Sequence, residues 1–294
     1  MPRPLESVPN FSEGRDRATI DALAAALSSG GARLLDVHAD EDHNRSVFTL
    51  VGSGEELVES LFSGIARAAE LIDLRRHEGA HPRIGAADVV PLVPLSAGDE
   101  DHAREAATQL AERVGAEFGL PVFLYGAVGD GRRPAFFRKG GPDGLQRRID
   151  AGELAPAHGP PWLSASAGGV LVGVRRPLIA FNVNLRGTLE AAREIAALVR
   201  ETGGGFPGVR ALGLELPRVG LVQVSMNVED WEAAELHAIV TEVEQRAAER
   251  GAEVVGSELV GLMPAGAAAA AAGAALRIDG FDASRVLELR LLED

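Results

Sequence analysis

The chain has 294 residues, a formal net charge of −14, 46% hydrophobic and 24% charged residues, and no cysteine. This composition is that of a globular protein, and the length is sufficient for two domains. The absence of cysteine excludes disulfides, thiolate metal ligands and a cysteine nucleophile. The excess of acidic residues argues against nucleic acid as a partner. No apolar run approaches the roughly 20 residues that cross a bilayer and the N-terminus lacks the apolar core of a signal peptide, so we expect no membrane partner and a cytoplasmic location.

The first half of the chain predicts the element order βαββαβ. Its elements are a strand at 5–11, a helix at 14–29, a hairpin of strands 32–39 and 45–52, a helix capped by Ser53 and Glu56, and a strand at 88–95. The remainder, 96–176, predicts one long helix, the strand PVFLYG at 121–126 and a stretch rich in glycine and proline.

The second half predicts the same order again. Its elements are a strand at 177–185, a helix at 188–202, a hairpin turning at 217–220, a helix capped by Asp230, and a strand at 253–262. We therefore expect an α+β protein of two tandem ferredoxin-like (βαββαβ) subdomains, 1–177 and 178–294, with a ligand cleft between them. Each half should be an antiparallel sheet with helices on one face.

The segment VPNFSEGRD, 8–16, leads from a strand into a helix. Ser12 or Asn10 can cap that helix, with Glu13 and Gly14 at its opening. Capping alone accounts for Ser12, although a helix N-terminus can also receive a carboxylate.

The segment RRHEGAHPRIGAAD, 75–88, carries His77 and His81. Gly79 and Pro82 argue against a regular helix that would direct both rings at one metal. A zinc site of four histidines matches no recognised ligand spacing, so we expect no metal; those histidines are His38, His43, His77 and His81. A histidine in an irregular loop beside an arginine favours catalysis, although a lone histidine is more often structural.

The segment HGPPWLSASAGGVLVGVRR, 158–176, is rich in small residues that let the backbone approach a flat ligand. Trp162 can stack on such a ligand. An interdomain linker is the alternative interpretation.

Six segments together resemble the formiminotransferase family, in family order from residue 8 to 264: VPNFSEG, DHNRSVFTLVG, HEGAHPRIGAAD, VGVRRPLIAFNVNL, VQVSMN and VVGSELVGLMP. The resemblance implies two ferredoxin-like halves that bind folate between them, a homodimer, and no cyclodeaminase domain in this chain. It implies transfer of a formimino group from N-formimino-L-glutamate to tetrahydrofolate, which is a co-substrate.

By the resemblance, His81 is the catalytic residue, and the folate-binding stretch falls on Gly159, Pro160, Pro161, Trp162, Leu163, Ser164, Ala165, Ser166, Ala167 and Gly168. Arg45 and Arg83 are the candidates to bind substrate carboxylates. Neutral hydrogen bonds are expected from Asn44, Asn182 and Asn184, and a carboxylate beside the amidinium from Asp36, Asp40 or Asp88. A non-catalytic folate or amino-acid sensor and a formiminoglutamate hydrolase are the alternatives.

Overall fold

The computed structural model describes residues 4–291. The outermost three residues of each predicted domain, 1–3 and 292–294, lie outside the described residues. The chain divides into two compact units, with the boundary between Pro177 and Leu178. Both units combine sheet and helices, so the predicted α+β class is confirmed. No described helix is long and apolar enough to cross a membrane.

The first unit carries one mixed sheet. Its strands are β1 (Leu5–Ser7), β2 (Asn10–Phe11), β3 (Arg33–Asp40), β4 (Arg45–Gly52), β5 (Ala87–Pro94), β6 (Val122–Gly126) and β7 (Val170–Val174). Its helices are α1 (Arg17–Ser28), α2 (Gly54–Leu71), α3 (Glu100–Phe118), α4 (Pro134–Arg138) and α5 (Gly141–Asp150). β1 and β2 occupy one strand position, since each pairs with both β4 and β5. β3 continues the sheet beyond β4, and β7 and β6 continue it beyond β5.

The prediction of an antiparallel sheet with helices on one face was wrong for this unit. β7 runs parallel to both β5 and β6. Val90 and Val172 pack into the core shared with α1, α2 and α3, whereas Val89 and Leu171 pack into a second core with residues of α4 and α5. β5 and β7 are buried along their whole length because both faces of the sheet are covered there, and this explains why the two strands are almost entirely apolar, with Asp88 as the charged exception.

The entry into α1 differs from the prediction that Ser12 or Asn10 caps it. The cap is Asp16, whose Oδ1 accepts a hydrogen bond from the amide of Ala18 (3.1 Å). Ser12 instead donates its hydroxyl hydrogen to the carbonyl of Gly85 (2.8 Å), because the chain is still extended there. The side-chain carboxylate of Glu13 accepts hydrogen bonds from the backbone amides of the two residues that precede α1. The predicted capping box at the start of α2 is present.

The second unit has the predicted βαββαβ order, followed by further helices. Its elements are β8 (Ile179–Arg186), α6 (Leu189–Val199), β9 (Val209–Leu216), β10 (Leu221–Val228), α7 (Leu236–Glu249), β11 (Glu253–Val260), α8 (Ala265–Leu276) and α9 (Leu287–Arg290). The strand order is β11-β8-β10-β9, antiparallel throughout. Asp230 does not cap α7, which begins six residues later at Leu236, and accepts instead from the amide of Ala233 in the preceding turn (3.2 Å).

Candidate active site

Three segments of the first unit meet at Asn44, which follows β3 in a tight turn. Its backbone is left-handed (φ 48°), a conformation that asparagine tolerates better than most residues. Its side chain accepts from the amide of Gly14 (2.9 Å) and donates to the carbonyl of Glu78 (2.9 Å). Asn44 therefore ties the 8–16 segment to the loop that carries His77 and His81.

The guanidinium of Arg83 fixes the shape of that loop. It donates to Nδ1 of His77 and to the carbonyls of Gly79 (2.9 Å) and His81 (2.6 Å). A Cβ at Gly79 would lie 2.3 Å from the carbonyl oxygen of His43 and 2.8 Å from Nη2 of Arg83. Glycine is thus required at this position, because the loop closes tightly around the guanidinium.

Both ring nitrogens of His77 are engaged. Nδ1 must be an acceptor because Arg83 can only donate, so Nε2 carries the hydrogen and donates to the carbonyl of Asn44 (3.0 Å). Burial and the nearby charge of Arg83 lower the pKa of His77. His77 is therefore held as a neutral ring without a free basic nitrogen.

His81 has the opposite arrangement. Its Nδ1 lies 2.8 Å from the carbonyl oxygen of Pro82, which can only accept, so Nδ1 carries the hydrogen and Nε2 keeps its lone pair. Burial lowers the pKa of His81 well below its ordinary value of 6.5, and the charges of Arg45 and Arg138 lower it further. Part of the surface of His81 nevertheless remains exposed to solvent. The centre of its ring lies 5.8 Å from that of His43. His81 thus presents a neutral imidazole with a basic nitrogen.

A buried cluster of charges lies beside this loop. Asp88 has no exposed surface, and its Oδ2 accepts from Nη1 of Arg45 (2.8 Å) and from Nη2 of Arg138. Its Oδ1 accepts from the amide of Ile84 (2.8 Å), and Arg45 also donates to Asn10 (2.9 Å). Burial, opposed by Asp88, lowers the pKa of Arg45 to about 10. The cluster holds two guanidinium groups around one carboxylate.

The other two predicted aspartates lie on β3. Asp40 accepts from the amide of His43 (2.6 Å), and its Oδ2 lies 4.0 Å from Nδ1 of the same histidine. Asp36 pairs with Thr49 of β4. It lies on the same face of β3 as Asp40, but four residues further from the turn that follows β3. Within residues 4–291 no group of three or more histidine, aspartate or glutamate side chains is arranged to hold a metal ion.

The segment Gly159–Gly168 is held next to the histidine loop by backbone hydrogen bonds. The amide of Ala86 donates to the carbonyl of Ala167 (2.9 Å), and the amide of Gly169 donates to that of Ile84 (3.0 Å). A Cβ at Gly168 would lie 2.0 Å from the carbonyl oxygen of Ile84. Trp162 leaves 61% of its surface exposed. The structure therefore brings the end of the predicted folate segment against Ile84 and Ala86, three and five residues after His81.

Asn182 and Asn184 lie on β8 in the second unit. Asn182 donates to Glu258 on β11 (3.0 Å), and the side-chain amide of Gln223 on β10 donates to Asn184 (2.9 Å). Gln223 and Glu258 were not among the predicted residues, although a glutamine between valines in a strand is a recognisable polar position. Arg138 was also missed, since no sequence signal connected α4 to the histidine loop.

These features define an α+β protein of two units, the first of which combines a loop carrying a neutral His81 with a buried cluster of Arg45, Asp88 and Arg138. The family model described as "Formiminotransferase domain, N-terminal subdomain" matches residues 4–175, and "Formiminotransferase domain" matches residues 180–279. The chain belongs to the formiminotransferase family.

Three relatives illustrate the likeness. The glutamate formimidoyltransferase of Streptococcus pyogenes serotype M1 is 39% identical, over 99% of this chain and 100% of that protein. The glutamate formimidoyltransferase of Thermoplasma acidophilum is 38% identical over 98% of this chain and 97% of that protein. The formimidoyltransferase-cyclodeaminase of Sus scrofa is 40% identical over 90% of this chain, which spans only 51% of that longer protein.

Proposed function

We propose that the protein transfers the formimino group of N-formimino-L-glutamate to N5 of tetrahydrofolate, giving 5-formiminotetrahydrofolate and L-glutamate. Full-length likeness to two proteins named glutamate formimidoyltransferase supports this reaction. The structural observation that carries the proposal is a neutral His81 whose Nε2 keeps its lone pair, in a loop joined to the cluster of buried Arg45, partly buried Arg138 and Asp88. Both substrates are anionic and would be repelled by an acidic protein. The arginines near His81 supply the local positive charge that such substrates need.

The reaction requires two proton transfers at nitrogen. When N5 of the folate attacks the amidine carbon, N5 must lose a proton, and the glutamate nitrogen must gain one before its bond to carbon breaks. Nε2 of His81 accepts the first proton and donates it to the leaving nitrogen, so one imidazole serves as base and then as acid. Its Nδ1–H bond to Pro82 holds the tautomer that this role needs.

Asp40 is the aspartate that we propose beside the cationic formimino group. Asp88 is already bonded to two guanidinium groups and an amide, and Asp36 lies further along the strand. Asp40 keeps its carboxylate next to His43, whose ring lies near that of His81. A carboxylate at this place favours the charged, more electrophilic amidinium.

The predicted binding residues are retained in this proposal. Arg45 and Arg83 remain candidates for the substrate carboxylates, and the hydrogen bonds of Arg83 to the loop support a second role in positioning His81. Asn44 contributes by joining the segments, while Asn182 and Asn184 stay predicted hydrogen-bonding partners.

Gly159–Gly168 is the proposed contact for the pterin ring. Its backbone runs close to Ile84, and the exposed ring of Trp162 is available to stack on a flat ligand. The tight loop would hold that ligand near His81, which favours reaction between two bound substrates.

The decisive assay follows the absorbance of folate products with and without formiminoglutamate. Formation of 5-formiminotetrahydrofolate only when both substrates are present is the expected result. Release of glutamate without folate would indicate a hydrolase, and binding without turnover would indicate a sensor. We further propose a cytoplasmic homodimer, which light scattering and cell fractionation would test.

A further inference from the structure

Arg138, the last residue of α4, shares the carboxylate of Asp88 with Arg45. The side chains of Arg138, Arg45 and Asp88 are 15%, 8% and 0% exposed. One carboxylate balances only one guanidinium, and Arg45 already bonds it at 2.8 Å. Asp88 is shared by two guanidinium groups, so this largely buried cluster keeps a net positive charge, which is costly unless a second anion joins it.

Arg138 also has a donor that is not used. Its Nε is buried, and no residue within 4–291 accepts its hydrogen. Buried donors are nearly always satisfied, so an unsatisfied one needs an explanation. Nε lies on an edge of the guanidinium that can bond both oxygens of a carboxylate, a geometry that lysine cannot reproduce.

The place of this donor relates it to the proposed chemistry. Asp88, which accepts from Arg138, also accepts from the amide of Ile84 (2.8 Å), three residues after His81 in the same loop, so the cluster is joined directly to the segment that carries the proposed proton-transfer residue. Both proposed substrates carry glutamyl carboxylates, one as the amino-acid donor and the other as the tail of the folate. A carboxylate is the partner that the charge and the free donor call for.

We propose that Arg138 is a substrate-binding residue whose Nε edge holds a glutamyl carboxylate beside His81. This inference deepens the proposed function and rests on it for the identity of the ligand. The proximity to His81 favours the carboxylate of formiminoglutamate over that of the folate tail. α4 then contributes to the substrate site, because its last residue is the arginine that bonds Asp88.

The test compares Arg138→Lys and Arg138→Met with Lys139→Met, which removes the neighbouring exposed cation. Arg138→Lys keeps a charge near Asp88 but removes the Nε edge, so its KM for formiminoglutamate should rise by roughly tenfold while kcat changes less. The methionine variant should show a larger rise, and Lys139→Met should match the parent. A rise in KM for tetrahydrofolate instead would assign the carboxylate to the folate tail.

Calorimetric titration with glutarate, a simple dicarboxylate, separates this inference from the proposed reaction. Weaker glutarate binding by Arg138→Lys supports the carboxylate site even if the parent protein transfers no formimino group, in which case the proposed function fails alone. The inference is overturned if folded Arg138→Lys keeps glutarate affinity and both KM values within about threefold of the parent. Circular dichroism and thermal unfolding of each variant establish that the comparison is between folded proteins.

Discussion

Nη1 of Arg45 lies 2.8 Å from Oδ2 of Asp88, although the two residues are 43 positions apart in the chain and the carboxylate has no exposed surface. Burial alone would raise the pKa of Asp88, but the charges of Arg138 and Arg45 outweigh it, so the pKa lies below its ordinary value of 3.8. The carboxylate therefore stays ionised inside the protein and stabilises two guanidinium groups there.

Asp88→Asn should destabilise the first unit by about 3–5 kcal/mol, because it leaves two guanidinium groups without a buried counter-charge. Urea denaturation measures the change, with Asp21→Asn as the control on an exposed aspartate. In the parent protein, the stability that comes from this depressed pKa is present above pH 3.8 and is lost as the pH falls through the lower, folded value. Asp88→Asn should lack that contribution, and a loss below about 1 kcal/mol would contradict the role given to Asp88.

Gly168→Ala should destabilise the protein more than Gly152→Ala. Both glycines have positive φ angles, 69° and 71°, so an alanine is strained at either position. Only at Gly168 would the new Cβ meet backbone, 2.0 Å from the carbonyl oxygen of Ile84, whereas nothing lies within 4 Å of it at Gly152. We expect Gly168→Ala also to raise KM for tetrahydrofolate, since the segment must move away from the histidine loop. Equal losses of unfolding free energy in the two variants would refute the close approach.

Trp162→Ala should weaken folate binding with little effect on stability. The side chain is 61% exposed, so its removal should change the free energy of unfolding by no more than about 0.5 kcal/mol. The chain has two tryptophans, and Trp231→Phe leaves Trp162 as the sole reporter. Fluorescence of that variant should be quenched as tetrahydrofolate is added. An unchanged signal together with an unchanged KM in Trp162→Ala would remove Trp162 from the proposed folate site.

The sequence was sufficient for elements whose signals are local. Ser53 and Glu56 predict the start of α2, and the alternating strands on either side of 217–220 predict the hairpin of β9 and β10. β5 lacks this alternation, but its longer apolar run was recognised as a strand. β7 was not predicted, because its five residues directly follow a segment rich in glycine and proline. Arg138 and Asp88 are 50 positions apart, so their pairing depends on how α4 packs on the sheet.

The difference between the two histidines of the loop could not be predicted from residue types. His77 and His81 stand four residues apart in the same polar segment. Only the hydrogen bonds distinguish them: Arg83 occupies Nδ1 of His77, while Nε2 of His81 remains basic. The direction of a side chain in an irregular loop follows from tertiary contacts, which short-range patterns do not encode.

His81→Ala should keep the fold and the affinity for both substrates while kcat falls by roughly 10²–10⁴-fold, the usual contribution of a general acid–base group. The base must be neutral, and the pKa of His81 lies well below 6.5, so the parent should lose activity only as the pH falls through that lower value. Because the alanine variant has no such group, its residual activity should lack this acidic limb. Rates measured across pH on His81→Ala and on the control His237→Ala, which removes a histidine of α7 in the second unit, test both expectations.

His77→Ala separates the two roles within the loop. It should reduce kcat through the lost contact with Arg83, but the acidic limb should remain, because both nitrogens of His77 are already engaged and His81 is still present.

A folded His81→Ala protein with turnover within about threefold of the parent would overturn the mechanism. Loss of the acidic limb in His77→Ala alone would move the proton-transfer role to His77.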